Sequence, residues 1–302
     1  MTQPAEPGAI VAVFDIGSNS VKMSVGRCGD DGSSREFAWR SATTRLSSGV
    51  DRTGRLADER MDATIDALAE MCTQARALGA ERLIAVATEA TRIASNGAMF
   101  IDRIYETTGI TVNAIPGDRE VELTFLGLSR SIDRDGTMVV ADIGGASTEL
   151  IVAVDGKMIG GKSWPIGSGR VTDEFEPADP PTGESLQHMR TSVRERLAEA
   201  GLPEKSERLV IVGGTGEFLG RLLPRDFPVP ISMAETALTT TSNLTAAELS
   251  RRIDINIDRA RVLPAGIATA LAIADICHPT LLIGAPSGIR AGLLQLACAG
   301  EV

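Results

Sequence analysis

The chain has 302 residues, 43% of them hydrophobic, with 31 glycines and a formal net charge of −10. That length and apolar share suffice for two compact domains, each with its own core, and the acidic balance argues against nucleic acid as a main partner. The start, MTQPAEPGA, carries neither a basic nor an apolar segment and no run reads as membrane-spanning, so the expectation is a cytoplasmic protein with no membrane partner.

The first element, IVAVFDIGSNSVKMSVG at 10–26, is an apolar β-branched run ending in Asp-Ile-Gly, a turn of small and hydroxyl residues, and a second run of partly alternating polarity. This predicts a β-hairpin whose tip can meet a phosphate. Gly17 lets main-chain N–H groups approach an anion, Ser18 and Ser20 donate hydrogen bonds, and Asp15 can hold a hydrated Mg²⁺. It is not a P-loop, because no Gly-Lys-Ser/Thr follows and a strand, not a helix, leaves the turn.

A loose polar segment and an Arg-rich loop follow, in which Arg45, Arg52 and Arg55 can reach a phosphate chain or simply face solvent. Residues 58–78 show helical spacing and stop at Gly79. The run RLIAVAT at 82–88 predicts a buried strand leading into a helix that continues to Gly109, and it gathers Thr88, Glu89, Arg92 and Asn96 where free N–H groups favour anions. Arg92 can give phosphate a fork-shaped contact; Thr88 as a mere cap and Arg92 as a surface charge is the plainer alternative. After a strand in ITVNAIPG, residues 118–132 predict a helix in which Glu120 and Glu122, two apart, face differently.

The hairpin then recurs 127 residues after the first, as MVVADIGGASTELIVAVDG at 138–156, with Asp142, Gly144, Gly145, Ser147 and Thr148 in the corresponding roles. One such hairpin is weak; two imply similar half-domains whose tips face each other across a cleft holding a phosphate chain or nucleotide. Further on come a strand-like KMIGGKSW, a Gly-Ser-Gly-Arg segment with Arg170, a helix at 184–200, and a strand at 208–212 running into Gly213-Gly214-Thr215 as a third phosphate contact. Thr245 predicts a helix cap, Pro264 the first turn of an apolar helix, TLLIGA a last strand and 288–299 a closing helix. The four cysteines, Cys28, Cys72, Cys277 and Cys298, lack ligand spacing and read as buried reduced thiols. His188 and His278 read as structural or surface residues.

Eight stretches in this order resemble the exopolyphosphatase/guanosine pentaphosphate phosphohydrolase (Ppx/GppA) family of the actin, sugar-kinase and Hsp70-like superfamily: DIGSNSVKM, LSSGVDRTGRL, ATEATRIASN, PGDREVEL, DIGGASTEL, PIGSGRVTDEF, GGT and SGIRAGLL. The resemblance implies an α/β fold of two actin-like (ribonuclease H-like) domains with mixed sheets facing a central cleft. The domains would be 1–131 with 288–302, and 132–287. It is similar to the short form, without a C-terminal HD-type domain. It implies Glu120 as catalytic base, Asp15, Asp142 and Glu149 as Mg²⁺ (or Mn²⁺) ligands, and phosphate contacts from Gly17, Ser18, Asn19, Ser20, Lys22, Thr88, Arg92, Asn96, Gly144, Gly145, Ser147, Thr148, Gly214 and Thr215.

The implied activity is release of orthophosphate from the end of inorganic polyphosphate. Alternatives are removal of the 5′ γ-phosphate of guanosine pentaphosphate, or a polyphosphate or alarmone sensor of low turnover. Kinase action fits less well, because the Glu120 motif suits water as nucleophile. A homodimer is left open. Five positions depart from the family pattern: Pro116, the Val121-Glu122 pair after the catalytic Glu, Ala146, which would cost roughly a kcal/mol if its φ were positive, and Ala291.

Overall fold

The structure is a computed structural model that describes residues 6, 8–128, 132, 135–285 and 288–302. The first apolar run forms β1 (Ile10–Ile16), which turns through the Gly17–Asn19 tip into antiparallel β2 (Ser20–Cys28) and then β3 (Ser34–Thr43). The short α1 (Val50–Thr53) and long α2 (Asp58–Ala77) lead to β4 (Arg82–Ala87), which runs parallel to β1 and ends in α3 (Glu89–Ile93). α4 (Gly97–Thr108), β5 (Val112–Ala114) and α5 (Gly117–Leu128) complete this half. The sheet order is β3-β2-β1-β4-β5. β1 lies at its centre with Val11 to Phe14 fully buried, as a continuous apolar run between two helical layers requires.

The second half repeats this order. The strands β6 (Thr137–Ile143), β7 (Thr148–Val154) and β8 (Lys157–Trp164) form an antiparallel meander, followed by α6 (Ser168–Phe175), α7 (Gly183–Arg196) and β9 (Arg208–Val212), parallel to β6. Then come α8 (Gly213–Leu222), β10 (Val229–Pro230), α9 (Ser232–Thr241), α10 (Ala246–Ile253), α11 (Ile257–Cys277) and β11 (Leu281–Ala285), in a sheet ordered β10-β11-β9-β6-β7-β8. The last helix, α12 (Ile289–Ala299), belongs with the first half.

The chain divides into two compact units, Met1–Leu128 with Ser287–Val302, and Ser129–Pro286. The boundaries read from the sequence, 131/132 and 287/288, touch residues 131 and 287, which lie outside the described residues, as does Ser287 of the SGIRAGLL stretch.

Five sequence expectations change. The polar segment read as loop contains β3, an edge strand whose register with β2 shifts between Val25 and Gly26, so its alternation is broken. The helix expected to run unbroken to Gly109 is split into α3 and α4; a Cβ at Gly97 would stand 2.0 Å from the Thr91 carbonyl oxygen, an approach only glycine permits. Pro264 lies inside α11, which begins a full two turns earlier where the Asn256 side chain accepts from the Asp258 N–H. By length and composition alone α11 could cross a membrane, contrary to the reading of the sequence, yet most of it is buried in the second unit's core.

The cysteines also differ. Cys28, at the end of β2, and Cys298, near the end of α12, are joined in a disulfide across 270 residues, because α12 packs along β2 and brings the two Cα atoms to 5.2 Å. Cys72 and Cys277 are buried free thiols, each pushed up to about 11 by burial. Under denaturing, non-reducing conditions a thiol reagent should therefore titrate two of the four cysteines, and all four after reduction. Replacing Cys28 and Cys298 by serine should lower unfolding stability by about 2–4 kcal/mol. Four reactive thiols before reduction would refute the bond.

Candidate active site

At the first tip the backbone is folded so that its carbonyls face inward and its amides do not. The Ser18 carbonyl accepts from Ser47 N–H (2.9 Å), and the Asn19 carbonyl from both Thr44 (3.0 Å) and Arg45 (2.9 Å). The N–H groups of Ser18 and Asn19 find no acceptor among the described residues, and neither do the hydroxyls of Ser18 and Ser20, both largely buried. Such a row of unsatisfied donors is a nest for an anion. Gly17 closes the turn, its N–H donating to the Ser20 carbonyl at 3.1 Å. Arg45, in the segment that caps the tip, has φ +52°, a left-handed backbone that costs a non-glycine residue about 1 kcal/mol.

Beside this tip stands Asp15, 6% exposed, with one carboxylate oxygen buried and without a hydrogen-bond partner. Burial raises its proton affinity, opposed by the charges of Lys22, its neighbour across β2, and Arg290. Arg290 is held by α12, donating to Met23 O at 3.1 Å and Ser24 Oγ at 2.8 Å.

Glu120 sits in the first turn of α5 and is 2% exposed. Its carboxylate Oε1 accepts from Arg92 Nη1 at 2.8 Å, and the same nitrogen donates to the Ile115 carbonyl at 2.5 Å. Arg92 Nη2 lies 3.4 Å from Glu89 Oε2, so one guanidinium serves two buried carboxylates. The net effect raises Glu120 to about 7: desolvation raises it most, the hydrogen bond and charge of Arg92 lower it, and the nearby negative charges of Asp15 and Glu89 raise it. Glu122, on another face as helical spacing predicts, is exposed and pairs with Arg119 at 2.7 Å.

The second unit builds its tip in the same way. The carbonyl of Gly144 accepts from Ser168 N–H (2.8 Å) and that of Gly145 from Arg170 N–H (2.9 Å), while the N–H groups of Gly145 and Ala146 find no acceptor among the described residues. The close seat of this cap depends on Gly167, where a Cβ would stand 2.4 Å from the Gly145 carbonyl. Ser147 is buried, and its hydroxyl likewise makes no bond among the described residues. Ala146 does not have a positive φ, so the substitution of Ala for a third glycine carries no left-handed cost. Behind the tip, Asp142 faces Glu149 across β6 and β7, and Glu149 accepts from Ser163 Oγ at 2.7 Å.

Three of the expected phosphate contacts are otherwise engaged. The Asn96 amide is a buried tie, accepting from Leu56 N–H and donating to Leu56 O, both at 2.9 Å. The Thr148 hydroxyl, fully buried, donates to the Ile166 carbonyl, and that of Thr215 points at the Ile143 carbonyl, 3.4 Å away. All three side chains are buried and spend their hydrogen bonds on backbone within the fold. Thr88 precedes α3 at its cap position without a side-chain capping bond. Gly214, in the first turn of α8, lies beside Phe218 and Arg259.

Among the described residues no three His, Cys, Asp or Glu side chains cluster closely enough to form a complete metal cage. Mg²⁺ does not need one, being held by one or two carboxylates with water and substrate oxygens. Asp142 and Glu149 on adjacent strands, and the orphaned oxygen of Asp15, fit that mode of binding.

Comparison with known proteins gives one consistent answer. The model of the Ppx/GppA phosphatase family matches residues 30–297. Exopolyphosphatase 1 of Mycobacterium tuberculosis is 29% identical over 301 residues, covering 94% of this chain and 87% of that protein. The crystal structure of the Aquifex aeolicus Ppx/GppA family member superposes with a TM-score of 0.77 at 30% identity, covering 95% of this chain and 96% of that one. A guanosine-5′-triphosphate,3′-diphosphate pyrophosphatase of Vibrio atlanticus is 33% identical over 152 residues, 50% of this chain and 30% of that protein.

The Glu120–Arg92 pair makes a signed prediction. A reaction that needs the ionised carboxylate should rise in kcat/KM about tenfold per pH unit below about 7 and level off above it. Arg92 stabilises the ionised form, so Arg92→Ala should move that midpoint to higher pH. A midpoint that stays in place or falls would show that the ion pair does not set the proton affinity of Glu120.

Proposed function

We propose that this chain, which belongs to the Ppx/GppA phosphatase family, hydrolyses the terminal phosphoanhydride bond of inorganic polyphosphate and releases orthophosphate. The observation that carries the reading is Glu120: a buried carboxylate, held by one guanidinium, with a proton affinity near 7, in the same unit as an unsatisfied anion nest. A group with that proton affinity can take a proton from water at neutral pH.

In the proposed step a water oxygen forms a bond to the terminal phosphorus while its proton passes to a Glu120 carboxylate oxygen. The bridging P–O bond breaks, and its electron pair leaves with the shortened chain. Because phosphoryl transfer relies on positioning and electrostatics, the rest of the site acts through charge. The N–H groups of Ser18 and Asn19 with the Ser18 and Ser20 hydroxyls receive phosphate oxygens, Lys22 adds a positive charge, and Arg92 turns part of its fork toward the phosphoryl group. The second unit's own tip carries donors of the same kind, the N–H groups of Gly145 and Ala146 and the Ser147 hydroxyl. In the second unit Asp142 and Glu149 would hold Mg²⁺ or Mn²⁺, which when bound neutralises phosphate charge, and in the first unit the unpartnered oxygen of Asp15 offers a further carboxylate ligand.

Removal of the 5′ γ-phosphate of guanosine pentaphosphate is the second reading, supported by the match to the Vibrio atlanticus pyrophosphatase. The bond cleaved is of the same kind. A cytoplasmic location belongs to the same proposal, and the Cys28–Cys298 bond is compatible with it, since both residues are 2% exposed or less and shielded from soluble thiols.

Phosphate release from long polyphosphate, short polyphosphate, guanosine pentaphosphate and ATP should be measured side by side with Mg²⁺ and with Mn²⁺. The expected order puts polyphosphate first and ATP last. Glu120→Gln should lower kcat by roughly 10²–10⁴-fold with binding retained, while Glu122→Gln should change it little. Binding of these ligands without turnover by the unmutated protein would favour a sensor instead.

A further inference from the structure

The repeated hairpins place a matching row of side chains across three strands in each unit. In the second unit the row is Asp142 on β6, Glu149 on β7 and Ser163 on β8; in the first it is Asp15 on β1, Lys22 on β2 and Ser41 on β3. Residues directly opposite in antiparallel strands share a face, with Cβ atoms about 4.5–5.5 Å apart. The two rows therefore have the same layout but different charge: two carboxylates in one, a carboxylate and an ammonium in the other. Only the second sets two carboxylates side by side, where they can share one cation.

Within that row one contact stands out. Ser163 Oγ donates to Glu149 Oε1 at 2.7 Å, and Glu149 is only 3% exposed. A glutamate has three side-chain torsions, and a bond to one oxygen fixes the plane of its carboxylate relative to Asp142. We infer that Ser163 is a positioning residue, which holds Glu149 so that Glu149 and Asp142 together bind the divalent cation of the reaction. Ser163 itself touches neither cation nor substrate in this role. The inference rests on the phosphohydrolase reading for its place in the reaction, but its direct consequence is metal affinity.

The test is Mn²⁺ binding to the whole protein, followed by electron paramagnetic resonance, alongside the Mg²⁺ dependence of polyphosphate hydrolysis. Ser163→Ala should weaken Mn²⁺ binding about 10-fold and raise half-saturating Mg²⁺ by a similar factor, the usual effect of losing an outer-shell partner. At saturating Mg²⁺ its kcat should recover to within about threefold. Ser163→Thr keeps the hydroxyl on a β-strand and should restore the affinity, which a merely structural role would not require. Unchanged Mn²⁺ affinity in Ser163→Ala, or a lower kcat that added Mg²⁺ does not restore, would overturn the inference. A wild-type protein that binds no Mn²⁺ would overturn it too. If the wild type binds Mn²⁺, and Ser163→Ala binds it more weakly, but polyphosphate is not hydrolysed, the positioning role survives and the hydrolase reading fails.

Discussion

The burial of Glu120 against Arg92 is the constraint to which the first unit is fitted. An ionised carboxylate at 2% exposure is costly unless its charge is met, and one guanidinium, shared with Glu89 and the Ile115 carbonyl, meets it. That arrangement needs α3 and α5 to keep their distance. α5 is in turn clamped by α12 at backbone contact: a Cβ on Gly292 would stand 2.1 Å from the Leu123 carbonyl, and one on Gly127 would stand 2.2 Å from that of Gly288. The same helix carries Arg290 to β2 and ends in the disulfide to Cys28. Helix α12 therefore supports the base on one side and the tip hairpin on the other.

A protein of net charge −10 with a polyanionic substrate needs local positive potential. Here it comes from few formal charges, Lys22, Arg92 and Arg290, two of which are already engaged with the protein. Oriented amides make up the difference. In both tips the carbonyls are capped by the segment after the third strand, which leaves the N–H groups as the exposed end of each peptide dipole. Amide dipoles do not titrate and carry no net charge, so they attract phosphate without raising the overall charge of the protein.

The internal repeat also explains how one hairpin design can serve two purposes. The backbone of the tips and their caps is shared, while the residue in the middle of each row, Lys22 or Glu149, inverts the sign of the charge. Duplication preserves geometry; a single side chain redirects it.

Much of this was legible in local pattern. The two Asp-Ile-Gly turns, the differing faces of Glu120 and Glu122, the cap at Thr245 with Glu248 completing its capping box, and the strand before Gly213 all depend on neighbours within a few residues, where periodicity and turn chemistry operate. Other features depended on partners far along the chain. β3 was hidden because an exposed edge strand with a broken register has little apolar alternation, and α11 because the packing of its apolar body outweighs the cost of an internal proline. Asn96 and Thr148 look like phosphate ligands until the fold turns them onto the backbone of Leu56 and Ile166. The partnership of Arg92 with Glu120, of Ser163 with Glu149 and of Cys28 with Cys298 likewise follows only when strands and helices are packed. Local pattern marks which groups can do chemistry, and packing leaves only some of them available, because hydrogen-bond donors and charges find their partners by proximity in space, not along the chain.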